Sequence, residues 1–566
     1  MHNNTSLEPA LWTLLRRGYG WSSLRRDLSA GLTVAVVALP LSMALAIASG
    51  STPEKGLHTA IVAGFLISAL GGSRVQIGGP TGAFIPVIFG VIHQHGYEGL
   101  LLATMMAALI LLVAGVARVG SLMKYMPQPV ITGFTAGIAV IIFVSQIKDL
   151  LGLHIDQLPA EFGPKMVALA QGLPTVQGPT LALAVAAVAA IVLLRRYAPR
   201  LPAFLVVVGT AALISALTSI PVETLNTRFG GVPATLPVFQ LPAISLERML
   251  QLLPAAFTIA FLAGIESLMS AVVADGMIGE KHRPNAELLA QGVANAASAA
   301  LGGLPATGAI ARTATNVRAG AVTPLAGVFH ALFVLLGMST IAPLLGHVPL
   351  AALAAVLVIV AWNMSEHEQF RHLLRAPRGD RLVLLVSFAL TVMVDLTVAI
   401  EVGLVMAAFL FMHRMASAVE MAAIGNEADA TDDAVFGEFD QRDRLPEDVV
   451  AFQIQGPLFF GAASQLDDIP RLFPNPPRVF ILRMSAVPLI DASGAHSLDG
   501  FVRHWQRSGT LVVISGLKPR LRKLLKRMRI EAVPGQLLFV EGFEQALAAA
   551  TLPVDPVAPG DQVSQD

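Results

Sequence analysis

A carboxylate stands in the middle of the apolar run AFTIAFLAGIESLMSAVVA, at Glu266, and an arginine, Arg312, lies just beyond the segment GGLPATGAI at residues 302–310. A charged side chain at the centre of a spanning helix costs about 2.5 kcal/mol or more on insertion scales, so each is read as facing a partner or an aqueous path. A glutamate so placed suits a proton carrier, because a carboxyl group can load and release a proton in the working pH range. Ser270 lies one helical turn on, on the same face. Buried arginine needs a carboxylate or an anion. Arg312 therefore has two readings, a structural pair with Glu266 or a contact to a bound anion, and both put the two residues close together.

The segment before Arg312 has a counterpart far upstream. GGPTGAF, residues 78–84, and GGLPATGAI both interrupt apolar surroundings with two glycines, a proline and Thr-Gly-Ala. Glycine and proline stop a helix, and the chain beyond them restarts as a half-helix whose first N–H groups have no internal partner. Two such starts facing each other make an anion site from backbone: Thr81, Gly82, Ala83 and Phe84 on one side, Thr307, Gly308, Ala309 and Ile310 on the other. Thr81 and Thr307 add hydroxyl donors. The plainer reading is that the glycines let helices pack closely. Aligning Thr81-Gly82-Ala83 on Thr307-Gly308-Ala309 gives an offset of 226 and lays Ala30–Gly50 on Ala256–Gly276.

The elements that must hold these residues are membrane helices. Hydrophobic residues are 54% of the 566, charged residues 13%, and the mean hydropathy is +0.68, far from a soluble globule. Fourteen apolar segments lie between residues 30 and 414, the two shortest credible ones, 81–93 and 306–318, beginning at the repeated motifs. Fourteen divides into seven and seven, and an odd number per half makes the second half enter from the opposite side, an inverted repeat with its site near the midplane. Lys and Arg, among them Arg25, Arg26, Lys124 and Arg200, favour one side of the loops by about eighteen to five, which puts both ends of the membrane domain in the cytoplasm and the chain in the inner membrane. Residues 1–29 carry no signal peptide. After a linker at 416–447, acidic between Gly425 and Asp443, the chain alternates short β-branched runs with amphipathic stretches over 448–551, a small α/β domain, and then ends in a disordered tail, 552–566.

Other functions are disfavoured. A net charge of zero argues against a nucleic-acid partner, and the chain has no cysteine, no metal-ligand spacing, no nucleotide fingerprint and no nucleophile paired with a base. No cofactor, no metal and no enzyme activity are expected. Asp275, Lys281, His282, Arg283, Asp395 and Glu401 sit at helix ends and read as caps or solvated charges. RLRKLLKRMR, 520–529, reads as a solvated basic helix face, with anionic lipid or a cytoplasmic protein as the alternative partner.

DLSAGLTVAVVALPLSMALAIASG (27–50), GIESLMSAVVADGMIGEKHRPNAELLAQGVAN (264–295), GGLPATGAIARTATNVRAGAVTPLAGVFHAL (302–332) and the tail domain together resemble the sulfate permease (SulP) family of anion transporters with its C-terminal STAS domain. The resemblance implies fourteen spans in two inverted sevens, a mobile core of spans 1–4 and 8–11, a gate of spans 5–7 and 12–14, and a homodimer. It also implies an arginine near the substrate anion at Arg312, and a coupling-ion position at Glu266 and Ser270, where the sodium-coupled bicarbonate members have aspartate and threonine. VAWNMSE (360–366) and IQGPLFFGAA (454–463) are similar to the dicarboxylate-transporting bacterial members of the DauA type. LIDASGAHSL places Ser493 where stand-alone relatives of the STAS domain carry a phosphorylated serine, although Asp491 and Ser493 also suit a turn and helix cap. The expectation is a secondary active transporter carrying a C4-dicarboxylate with a proton across the bilayer. Sulfate or bicarbonate, with or without sodium, is the alternative, and a channel or a membrane sensor stands behind these.

Overall fold

A computed structural model describes residues 7–551 apart from 122–125, 156–157, 200, 219, 234, 241, 395, 425–444, 447 and 474. The expectations on Lys124, Arg200, Asp395, the acidic joint at 425–443 and the tail from 552 concern residues outside those described. The chain forms two compact units that divide between Ala407 and Ala408.

The first unit is helical: α1 (Ala10–Arg17), α2 (Trp21–Ala48), α3 (Pro53–Leu70), β1 (Gly78–Gly79), α4 (Ile85–Val116), α5 (Gln128–Leu151), α6 (Phe162–Gly172), α7 (Gly178–Tyr197), α8 (Ala203–Leu217), α9 (Leu225–Phe229), α10 (Leu246–Ile278), α11 (Pro284–Ala300), β2 (Thr307–Gly308), α12 (Ile310–Arg318), α13 (Leu325–Leu345), α14 (Leu350–Met364), α15 (His367–Leu373), α16 (Arg378–Met393) and α17 (Leu396–Ser417), the last crossing the divide. Each of the fourteen apolar segments overlaps one of these helices, and among the described residues eight helical stretches are long and apolar enough to cross a membrane. Two of the segments share α4, which breaks at Gly96, where φ is +71°. A side chain with a Cβ rarely takes that conformation, so the glycine sets the break. The short helices α1, α6, α9 and α15 are not legible as apolar runs.

Packing sorts the helices into two groups. α4 lies along α10 and α11, and α2 and α3 along α13, with α12 against α10; α5 lies along α14 and α16, and α7 along α14. Buried polar groups fix the first group. Asp27, wholly buried in α2, accepts the N–H groups of Val322 (2.7 Å) and Thr323 (3.1 Å) and the Thr323 hydroxyl (2.6 Å), which places a carboxylate at the start of α13, the end where the helix dipole favours it. Asn295 of α11 exchanges two hydrogen bonds with the backbone of Ala306, at 2.9 and 2.8 Å, and so fixes the approach to β2. Of the charges read as caps, Asp275 accepts from the His282 backbone at 3.0 Å, and Arg283 donates to the Glu8 carbonyl at 2.8 Å and to Thr13 Oγ1 at 2.8 Å, tying down α1.

The second unit carries a five-stranded sheet: β3 (Glu420–Ile424), β4 (Val449–Gln455), α18 (Phe460–Asp468), β5 (Val479–Ala486), α19 (Ala492–Arg507), β6 (Leu511–Ser515), α20 (Pro519–Arg527), β7 (Leu537–Val540) and α21 (Phe543–Thr551). Its order follows the chain, with β3 antiparallel to β4 and the remaining pairs parallel. Helices cover both faces, as parallel strands require. Asp491 caps α19 by accepting the Gly494 N–H at 2.7 Å, and Ser493, in the first turn, is exposed. On α20, Leu521 and Leu525 are buried while Arg520, Arg522, Lys523, Lys526 and Arg527 face solvent.

Candidate functional site

The two glycine motifs meet. β1 and β2 pair antiparallel, Gly78 opposite Gly308 and Gly79 opposite Thr307, and Ala309 adds a bond to the Ile77 carbonyl at 2.8 Å. The ladder thus lays the two repeated motifs side by side, each followed by its own helix start.

Both helix starts leave backbone donors open. A short 3-10 turn, Gly82–Phe84, leads into α4, and the N–H groups of Gly82 and Ala83 have no hydrogen-bond partner among the described residues; the same holds for Ile310, Ala311 and Arg312 at the start of α12. These are the orphan donors that make a helix start attractive to anions. Gly82 is also where other helices come close: a Cβ there would lie 2.8 Å from Met364 Sδ of α14 and 3.2 Å from Ile142 Cδ1 of α5. The packing group of α5 and α14 thus reaches the site through these two residues.

Arg312 is 2% exposed, and its guanidinium lies against Gly79, donating through Nη2 to the Pro80 carbonyl. Its Nη1 has no partner among the described residues. Arginine stays charged in proteins, and leaving a buried charge incompletely paired costs several kcal/mol. The sequence reading of an ion pair with Glu266 is corrected here: no carboxylate lies within ion-pair distance of Arg312 among the described residues. The reason is that Pro80 and Thr81 stand between them. Thr81 Oγ1 donates to Glu266 Oε2 at 2.8 Å, so consecutive residues of one chain segment hold the arginine by a carbonyl and the carboxylate by a hydroxyl. Thr81, Glu266 and Ile310 keep some exposure, while Gly82, Ala83, Phe84, Gly308 and Ala309 are buried.

Two further residues sit differently from the sequence reading. Thr307 Oγ1 donates to the Ala263 carbonyl at 2.8 Å, so its hydroxyl is engaged in joining β2 to α10 and is not presented to an anion. Ser270 is wholly buried and shares a 2.9 Å hydrogen bond with Thr313 Oγ1, which also accepts the Ile77 N–H at 3.1 Å. It braces β1 and α12, on a different hydrogen-bond system from Glu266.

Behind the site lies a polar network that the sequence reading missed. Glu287, wholly buried, accepts from Ser267 Oγ (2.7 Å), Gln291 Nε2 (2.9 Å) and the Gly72 N–H (3.0 Å), and Gln76 Nε2 donates to Ser267 Oγ at 2.8 Å. The available signal is the spacing of Glu287, Gln291 and Asn295, every fourth residue and so one face of α11. Among the described residues no cluster of three or more His, Asp or Glu is placed to hold a metal.

A helical membrane domain organised around two broken helices, with a basic residue and an uncompensated carboxylate at the break, defines a transporter of small ions. Residues 24–387 match the model of the sulfate permease family and residues 442–541 that of the STAS domain. The chain belongs to the sulfate permease family: it is a multi-pass membrane transporter of anions with a C-terminal STAS domain, and not an enzyme. It is 41% identical to YvdB of Bacillus subtilis over 90% of this chain and 95% of that one, and 28% identical to the bicarbonate transporter BicA of Picosynechococcus sp. over 94% and 96%. Among solved structures it is similar to the transmembrane domain of a cyanobacterial BicA (28% identity, TM-score 0.60, 69% of this chain and 98% of that one). The murine Slc26a9 anion transporter in its inward-facing state shares the fold, with TM-score 0.84 at 18% identity over 96% and 94%.

Proposed function

We propose that this chain is a secondary active, proton-coupled symporter of a small dianion, working by alternating access over fourteen membrane passes. The observation that carries the reading is the open Nη1 of buried Arg312 beside two helix starts whose N–H groups have no partner among the described residues. An anion there completes the arginine and uses backbone donors already aimed at it. Glu266 is the proton carrier. It has a hydroxyl partner and no cationic one among the described residues, so protonation is the way its charge is balanced within the membrane. Ser270 shares its hydroxyl with Thr313 and makes no hydrogen bond to Glu266 among the described residues, which favours the proton over sodium. Resemblance in VAWNMSE and IQGPLFFGAA favours a C4-dicarboxylate such as succinate or fumarate; a relative from Bos taurus, 27% identical over 70% of this chain and 71% of its own, is named a sodium-independent sulfate anion transporter. Both are dianions. Uptake of labelled succinate and labelled sulfate into proteoliposomes, with an inward proton gradient and no sodium, tests the reading. Accumulation above equilibrium of either anion is expected. Accumulation only with sodium overturns the coupling, and passive equilibration alone makes the protein a channel.

A further inference from the structure

A second cationic site opens beside the first turns of α4, with Ile85, Pro86 and Val87 in its wall. A cavity of about 430 Å³ opens at the Ala48 end of α2, between residues of α2 and α4 on one wall and of α5 and α6 on the other. It contains none of Thr81, Glu266, Arg312 or Ile310. Five charged residues line it, three of them cationic: Lys148, Lys165 and Arg228, against Asp149 and Glu161. Arg228 is neutralised by Asp149 at 2.9 Å and by Glu223 at 2.9 Å, and Lys148 donates to the Ile155 carbonyl. Glu161 is exposed to solvent.

Lys165 is left over. It is 5% exposed, and no hydrogen-bond acceptor or carboxylate reaches its ammonium group among the described residues; its neighbour is the face of Phe89, 5.2 Å from Nζ. A ring face returns only part of the hydration that a buried ammonium gives up. Phe89 is itself held by stacking on His93, with centroids 6.3 Å apart, so the cation is directed at a fixed wall of the cavity. Also lining the cavity is Gln146, 3% exposed, which uses one amide hydrogen on Ser145 Oγ at 2.9 Å and keeps the other. The cavity therefore offers a buried cation and an amide donor in a space that suits a small oxyanion.

We infer that this cavity is a second anion-binding site, in which Lys165 and Gln146 hold a small inorganic or carboxylate anion between the two packing groups. The site rests on the anion-transport reading for its ligand class. An anion there touches α4 on one side and α5 and α6 on the other, so its occupancy senses how the two groups are placed.

Equilibrium dialysis of labelled sulfate against the full-length protein in detergent tests it, with labelled succinate run in parallel. The wild type is expected to bind two anions per chain, Lys165→Met one, Lys165→Arg two, and Arg312→Met one. Wild-type binding of a single anion that is lost in Arg312→Met overturns the inference without recourse to any Lys165 variant, as does Lys165→Met with wild-type stoichiometry. If Lys165→Met fails to fold, as judged by its elution on gel filtration, Gln146→Ala takes its place, with an expected tenfold loss in the affinity of the second site; an unchanged affinity counts against it. Two sites that both survive Arg312→Met would instead remove the reading of the central site and leave this one standing.

Discussion

The two broken helices use one backbone device for two chemistries. In the first half, β1 leads into a 3-10 turn and α4, and the residue that presents a polar group is Thr81; in the second, β2 leads directly into α12, and the polar residue is Arg312. The sequence offset of 226 sets Thr81 against Thr307, whose hydroxyl is spent on the Ala263 carbonyl, and Arg312 against Pro86, so neither functional side chain has a twin in its role. Symmetry supplies the place, two helix starts joined by a two-residue ladder, and departure from it supplies the charge. The halves are nevertheless interlocked, because Thr81 of the first binds Glu266 of the second and Arg312 of the second binds Pro80 of the first.

Substitutions can break that asymmetry in order of size. Arg312→Met removes the cation at the ladder; loss of a charge-assisted contact to a buried anion, about 2–3 kcal/mol, lowers anion affinity by on the order of 100-fold, measured by equilibrium binding. Gly79→Ala acts on the backbone beneath it: φ is +144° there, and the added Cβ lies 2.6 Å from Arg312 Nη1. Strain of this kind costs on the order of 1–3 kcal/mol, so uptake by this variant is expected to fall by roughly 10- to 100-fold while the protein still elutes as folded. A wild-type rate would show that Arg312 need not lie against Gly79.

The threonines give the smaller and more discriminating contrast. Thr81→Val frees the Glu266 carboxylate of its donor and is expected to change the pH dependence of uptake, with about a tenfold loss in rate for one hydrogen bond to a charged group. Thr307→Val removes the bond that ties β2 to the Ala263 carbonyl of α10 and is expected to lower stability by about 1 kcal/mol, seen in a thermal melt, with anion affinity unchanged. Equal effects of the two variants on pH dependence would mean that the halves are functionally as well as structurally equivalent.

Much of this is legible in the chain. Apolar runs locate the helices because a membrane demands them, and the glycines at 78, 79, 96 and 302 mark breaks because positive φ or close approach leaves few alternatives. The alternation of strands and helices announces the STAS unit. The relations that escape a linear reading are those that only tertiary structure creates. The pairing of Gly78 with Gly308 and of Gly79 with Thr307 cannot be read from the repeated wording, because register belongs to hydrogen bonds between distant segments. Opposite charge pairs Glu266 with Arg312 on paper, and the intervening Pro80 and Thr81 are invisible until the chain is folded. Glu287 and Gln291 lie on α11 in an Ala-rich stretch whose polar face acquires meaning only against Ser267 and Gln76. Lys165 reads in the sequence as an ordinary loop lysine.

The central claim is that Arg312 and the helix starts hold the anion while Glu266 carries its proton. The most direct test records luminal pH with an enclosed dye during anion entry into proteoliposomes, for the wild type and for Glu266→Gln. In the wild type, luminal acidification should keep pace with entry; Glu266→Gln should still exchange labelled for unlabelled anion but move no protons. Acidification in the variant at the wild-type rate would contradict the account and place the proton on another group.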